Sequence, residues 1–117
     1  MCGIFGNYCF SLGNVPDTDL AAVAASLKHR GPDATGFAAD NRAAVGNTRL
    51  SILDLSEASN QPLFSEDGNI VLVQNGEIYN YIELRDELRR LGCRFKTTGD
   101  TEVLLRAFET WGPDFVS

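Results

Sequence analysis

The chain of 117 residues predicts an α+β fold with mostly antiparallel strand pairing. Segments rich in β-branched, aromatic and small residues come in runs, segments with helical apolar spacing are set apart from them, and Gly or Pro punctuates the joints. The opening Gly3-Ile4-Phe5-Gly6-Asn7-Tyr8-Cys9-Phe10 reads as a buried strand whose glycines permit close backbone approach. Asp17 or Thr18 is then expected to cap a helix with Leu20, Val23, Ala24 and Leu27 on one face, ended by His29-Arg30-Gly31-Pro32. That apolar stripe is narrow, which suits a helix lying on a sheet. Strands are expected at Gly36 to Ala39, Ala43 to Leu50 and Ile70 to Gln74, the last preceded by an Asp67-Gly68 turn.

A second helix is expected from Asn80, with Glu83 as a capping-box partner and Tyr81, Leu84, Leu88 and Leu91 inside, stopping at Gly92. Arg94 to Thr97 reads as a short strand. A third helix, capped by Asp100, carries Val103, Leu104, Ala107, Phe108 and Trp111 to a stop at Gly112-Pro113. There is no internal repeat or low-complexity tract, and the length allows one domain at most.

Composition excludes several classes of function. Sixteen acidic residues against ten basic give a net charge of −6, and no Lys/Arg cluster carries interleaved aromatics, so nucleic acid is not an expected partner. No apolar stretch approaches the ~20 residues of a membrane span, and no charged-then-apolar leader precedes Cys2. Position 2 is Cys rather than the Gly that myristoylation requires. The expected location is cytoplasmic. Cys2, Cys9 and Cys93 are an odd set without a Cys-x-x-Cys pair and His29 is the single histidine, so neither a disulfide framework nor a metal site is expected. A redox pair of Cys2 and Cys9 fails on reach: seven residues apart on one strand, they stand ~23 Å apart.

Cys2 is the most informative residue. Removal of Met1 would leave one residue carrying a thiol and a free α-amine, whose ordinary pKa of about 8 lets it take the thiol proton near neutral pH. Nucleophile and base would then share a residue. A second-position cysteine is also commonly a small buried residue at a strand start.

Three polar clusters sit where elements end, each with a plain and a sharper reading. Arg49, within Asn47-Thr48-Arg49-Leu50-Ser51-Ile52, could form a surface salt bridge or offer a guanidinium fork to a substrate carboxylate. Gln74-Asn75-Gly76-Glu77 could be a simple turn or a pair of hydrogen-bond donors close to a ligand. Asp100, within Gly99-Asp100-Thr101-Glu102, could be a helix cap or a partner for an ammonium group. Taken together with Cys2, the sharper readings assemble a nucleophile with its base, two oxyanion donors, a carboxylate clamp and two carboxylates for an ammonium. That is the equipment for attacking the side-chain amide of an amino acid.

Five ordered motifs give these clusters a context: Met1-Cys2-Gly3-Ile4-Phe5-Gly6, His29-Arg30-Gly31-Pro32-Asp33, Arg49-Leu50-Ser51-Ile52-Leu53-Asp54, Asn60-Gln61-Pro62-Leu63 and Asn75-Gly76-Glu77-Ile78-Tyr79-Asn80. Together they resemble the glutaminase domain of class II glutamine amidotransferases, and most closely that of the glutamine-hydrolysing asparagine synthetase branch. The resemblance implies an N-terminal-nucleophile hydrolase fold, a four-layer αββα sandwich of antiparallel sheets, of which residues 1–117 would be an incomplete N-terminal part. It implies Cys2 as nucleophile, the Asn75 side chain and the Gly76 N–H as oxyanion donors, and Arg49 on the glutamine α-carboxylate. Glu77, Asp100 and carbonyls of Leu50, Ser51, Ile52 and Leu53 would receive the α-ammonium. L-glutamine is the implied substrate, and a synthetase domain, of the same or another chain, the implied partner. ATP and magnesium would belong to that synthetase domain, since no Ser-Gly-Gly pyrophosphate loop is found here. The isolated chain is expected to self-associate. One departure stands out: the family usually has histidine two places before the arginine, and this chain has Asn47.

Overall fold

The structure, a computed structural model, describes residues 2–10, 19–51 and 55–116. A three-stranded antiparallel sheet holds β1 (Gly3–Tyr8), β2 (Ala34–Ala39) and β3 (Ala43–Arg49) in the order β1-β3-β2. Gly3 pairs with Thr48 and Thr48 with Thr35, so the central strand is hydrogen-bonded on both sides along its length. Alternation then assigns the faces. Gly3 and Thr48 face α1 (Leu20–Ser26), whose C-terminal Leu27 carbonyl accepts the Thr48 hydroxyl at 3.1 Å. Gly36 and Asn47, paired across the ladder, face the other way.

On that other side lies a second sheet, the hairpin of β4 (Leu63–Phe64) and β5 (Val71–Leu72). Its backbone comes very close: a Cβ at Gly36 would stand 2.2 Å from the Gln61 carbonyl oxygen, so only glycine fits there. The Asp67-Gly68 turn expected from sequence closes the hairpin, with Gly68 at φ +74° and the Asp67 carboxylate accepting Ser65 Oγ at 2.6 Å and the Asn69 amide at 3.0 Å. Beyond this sheet pack α2 (Tyr81–Arg90) and α3 (Asp100–Trp111), with Leu88, Val103 and Ala107 buried between them and Phe95 and Trp111 around the margin. The layers therefore run helix, sheet, sheet, helix. This is an α+β arrangement of antiparallel sheets, consistent with part of the expected N-terminal-nucleophile hydrolase sandwich.

The elements depart from expectation where local signals were outbid. The residues Asp17 and Thr18 lie outside the described ones, and the α1 cap is Asp19, whose carboxylate accepts the Ala22 amide at 3.0 Å. Asn80 is the N-cap of α2 but makes no side-chain cap bond, so no capping box with Glu83 forms. Leu91 is exposed rather than buried, because it is the C-cap residue of α2. The stop at Gly92 is real: at φ +96° it donates to Arg89, while Cys93 donates to Leu88 at 2.9 Å, the paired bonds of a Schellman ending. In α3 the fully buried leucine is Leu105, Leu104 is half-buried, and Phe108 is exposed.

Two further corrections bear on the site. Arg94 to Thr97 is irregular, because the Glu102 carboxylate, 4% exposed, takes the Lys96 amide at 3.0 Å and the Thr97 amide at 2.7 Å that a ladder would have used. Asp100 does not cap α3. Gly99 is the N-cap, and Asp100 is the first helical residue with its carboxylate turned to the Ile78 amide at 2.9 Å.

Candidate active site

Cys2 sits directly ahead of β1, beside the end of β3. The Leu50 amide donates to its sulfur at 3.3 Å, and the sulfur lies 3.7 Å from the Leu50 carbonyl oxygen. Arg30, from the turn after α1, donates through Nε to the Cys2 carbonyl at 3.2 Å and so holds the residue from its other end. Asp33 accepts the Ser51 amide at 2.8 Å, which fixes the start of the loop leaving β3.

Arg49 is 8% exposed. Its Nη1 donates to the Ser56 carbonyl at 3.1 Å and to Asn60 Oδ1 at 2.7 Å, so the guanidinium plane is held before any ligand arrives. Such preorganisation spares binding the entropy of ordering a long side chain. Asp100 is held by the Ile78 amide and by the anchoring of the residue before it. Arg85, buried and stacked against Tyr81 and Phe95, donates to the Gly99 carbonyl at 2.7 Å and pins the start of α3.

Cys2, Arg49, Leu50, Asn75, Gly76, Glu77 and Asp100 line a single pocket of about 350 Å³, a size suited to a small molecule. Those seven residues come from four segments distant in sequence: the chain start, the end of β3, the loop after β5 and the start of α3. A cationic side chain and a buried carboxylate in one small pocket match the two charges of an amino acid. A Cβ at Gly76 would meet no atom within 4 Å, and its φ is not positive, so the protein itself does not demand glycine there. The space above the Gly76 backbone opens into the pocket instead.

Of the residues expected from sequence, Ser51, whose carbonyl was to receive the ammonium, does not line the pocket. Ile52 and Leu53 lie outside the described residues. The pocket also includes Ser59, Gln61, Tyr79, Thr97 and Glu102, to which sequence reasoning gave no part in the site. Gln61, Tyr79 and Glu102 fall within motifs or clusters already quoted, and that was the available signal; Thr97 arrives only through the fold of the loop before α3.

The described cysteines form no disulfide. Among the described residues no group of three or more His, Cys, Asp or Glu side chains could hold a metal ion, and no helix is long and apolar enough to cross a membrane.

A glutamine amidotransferase domain family matches residues 1–117. An asparagine synthetase [glutamine-hydrolyzing] of Bacillus subtilis is 40% identical over 120 aligned positions, covering 100% of this chain and 19% of that protein. The asparagine synthetase B [glutamine-hydrolyzing] of Escherichia coli is 40% identical over 119 positions, 99% of this chain and 21% of that protein. A counterpart from Arabidopsis thaliana is 37% identical, covering 99% of this chain and 20% of that protein. The chain belongs to the glutamine amidotransferase domain family. It spans about one fifth of the length of these relatives.

Proposed function

We propose that this chain is the N-terminal part of the glutaminase domain of a glutamine-hydrolysing asparagine synthetase, and that it hydrolyses L-glutamine to L-glutamate and ammonia. The observation that carries the reading is the Cys2 sulfur, held by the Leu50 amide in the same pocket as Arg49 and Asp100. A guanidinium and a carboxylate in one pocket suit the two charges of an amino acid, and a thiol in the same pocket suits attack on its side chain.

In this mechanism Arg49 pairs with the glutamine α-carboxylate, while Asp100 and Glu77 receive the α-ammonium. The Cys2 α-amine takes the thiol proton, Sγ bonds to the carboxamide carbon, and the C=O electron pair moves onto oxygen. The Asn75 side-chain amide and the Gly76 N–H hold that oxyanion, a service whose loss costs ~10²–10³ in rate. Collapse breaks the C–N bond, and the α-ammonium of Cys2 hands its proton to the departing ammonia. Water then attacks the γ-glutamyl thioester, giving glutamate and restoring the thiol.

The ammonia would pass to a synthetase domain that amidates aspartate, and ATP and magnesium would act there. The relatives' names support this acceptor. The reading places the protein in the cytoplasm, where a reactive thiol such as Cys2 stays reduced.

The test is release of ammonia and glutamate from glutamine by the full-length protein and its Cys2→Ala variant. Activity confined to the parent supports the reading. Activity that survives Cys2→Ala overturns it, and glutamine binding without hydrolysis by the parent makes the domain a binding module.

A further inference from the structure

The loop carrying Asn75 leaves its sheet early. Pairing between β4 and β5 ends at Leu72, so the backbone of Gln74 has no ladder partner. Its two polar groups are nonetheless engaged, each by a side chain. The Gln74 N–H donates to Gln61 Oε1 at 2.5 Å, and Asn47 Nδ2 donates to the Gln74 carbonyl at 3.3 Å. That carbonyl and the Asn75 nitrogen belong to one planar peptide unit, so fixing the carbonyl fixes the direction in which Asn75 departs.

Both clamping side chains rest on the first sheet. Asn47 lies in its central strand and pairs with Gly36, and Gly36 is the residue against which the Gln61 backbone packs. Cys2 leads directly into β1, hydrogen-bonded along that same central strand. One rigid sheet thus carries the nucleophile and, through the clamp, the loop proposed to hold the oxyanion.

Asn47 is 1% exposed and Gln61 8%, yet neither position is served by an apolar side chain. Asn47 Oδ1 and Gln74 Oε1 are buried without a hydrogen-bond partner among the described residues, a cost that packing alone would not select. We infer that Asn47 and Gln61 are positioning residues that set the Asn75-Gly76 donors relative to Cys2, by holding the two successive peptide units that flank the Gln74 Cα, Gln61 the one before it and Asn47 the one that leads into Asn75. The inference rests on the oxyanion role proposed above and extends it to two residues that need not touch the reacting atoms.

The experiment uses the full-length protein with Asn47→Leu, Gln61→Met and, as reference, Asn75→Ala. Two readouts are taken: steady-state glutamine hydrolysis, and inhibition by the γ-aldehyde analogue of glutamine. Cys2 Sγ adds to the aldehyde carbon and the thiol proton ends on its oxygen, so the adduct's oxygen occupies the oxyanion position and its affinity reports donor placement. Asn47→Leu and Gln61→Met are each expected to lower kcat and to weaken the aldehyde by about tenfold or more, as misplacement of donors does. KM for glutamine should move less than about threefold, and Asn47→His, which restores an N–H donor, should recover most of the lost kcat.

Asn75→Ala separates the failures. If Asn75→Ala lowers kcat and both clamp variants leave kcat and aldehyde affinity unchanged, the positioning role is wrong and the oxyanion reading stands. If Asn75→Ala leaves both unchanged, the two fall together. Clamp variants that lose glutamine and aldehyde affinity equally, without recovery in Asn47→His, would also overturn the inference, because that is the pattern of a general loss of structure.

Discussion

The Asp100 carboxylate accepts the Ile78 amide at 2.9 Å, so one hydrogen bond ties the start of α3 to the loop that carries Asn75, Gly76 and Glu77. Asp100 lines the same pocket as Arg49. It therefore has one duty toward the fold and, in the proposed mechanism, a second toward glutamine, and the two can be separated.

Asp100→Asn keeps an oxygen to accept the Ile78 amide and removes the charge. KM for glutamine is expected to rise by at least about tenfold, with little change in thermal midpoint. Asp100→Ala should raise KM similarly and also lower the midpoint, because the Ile78 amide loses its partner. Steady-state kinetics beside thermal unfolding reads both.

The N-terminus supplies a second expectation. Mass spectrometry of the mature protein should show Met1 removed, because the Cys2 α-amine has to be free to shuttle the proton. Protein that retains Met1 should lack glutaminase activity, whereas Cys93→Ser, in the α2–α3 core away from the pocket, should keep it.

Glu102 is the third. Its side chain, 5% exposed, accepts from the Lys96 and Thr97 amides and pairs with Arg106 at 3.5 Å. Burial works against the Arg106 charge, but Glu109, Glu102 and Glu66 outweigh it and hold the guanidinium above its ordinary pKa. Glu102→Ala leaves the part-buried Lys96 and Thr97 amides without their acceptor, while Arg106 keeps Glu109, and is expected to cost about 1–3 kcal/mol, measured by denaturant unfolding.

These contacts also explain what the sequence could and could not convey. The strand at Ala43 to Arg49 and the helices around Leu88 and Val103 were legible because apolar periodicity and a glycine stop are local signals. The four segments meeting at the pocket were legible only as separate polar clusters, each with a plain local reading, and Asp100 shows why: a carboxylate beside a helix start looks like a cap until Ile78 is found against it. Arg94 to Thr97 has strand composition, yet a carboxylate further along the chain claims its amides. β4 has two residues, too few for any period to register, and the Asn47 and Gln61 clamp joins positions that are neighbours only after two sheets stack.

Asp67 offers a pH-dependent reading. The hydroxyl of Ser65, then the Asn69 amide and side chain, hold its carboxyl at about 2 against an ordinary 3.8. A depressed folded value means that the carboxylate supports the hairpin turn above the unfolded pKa and that this support is lost as pH falls from about 4 toward 2. Titration of the Asp67 carboxyl signal by NMR should show a midpoint near the lower value, and Ser65→Ala should move it upward.

The last expectation concerns the face of the first sheet turned toward the β4–β5 hairpin. Ile4 and Tyr8 alternate onto one face of β1 at 47% and 53% exposure, and Phe10, 94% exposed, packs edge-on to Tyr8 with ring centroids 5.0 Å apart. β1 is also an edge strand, hydrogen-bonded only to β3 within the described sheet. Exposed apolar side chains on a strand at the edge of the described sheet invite pairing with another chain. The 117-residue chain on its own is therefore expected to self-associate at low micromolar concentration, in sedimentation velocity as a concentration-dependent rise in mass. Lysine at these two exposed positions blocks such pairing by charge, so Ile4→Lys with Tyr8→Lys should shift the chain toward monomer while the distant Phe108→Lys does not. A chain that stays monomeric without these substitutions would show that the exposed strip is too small, or too well hydrated, to drive association.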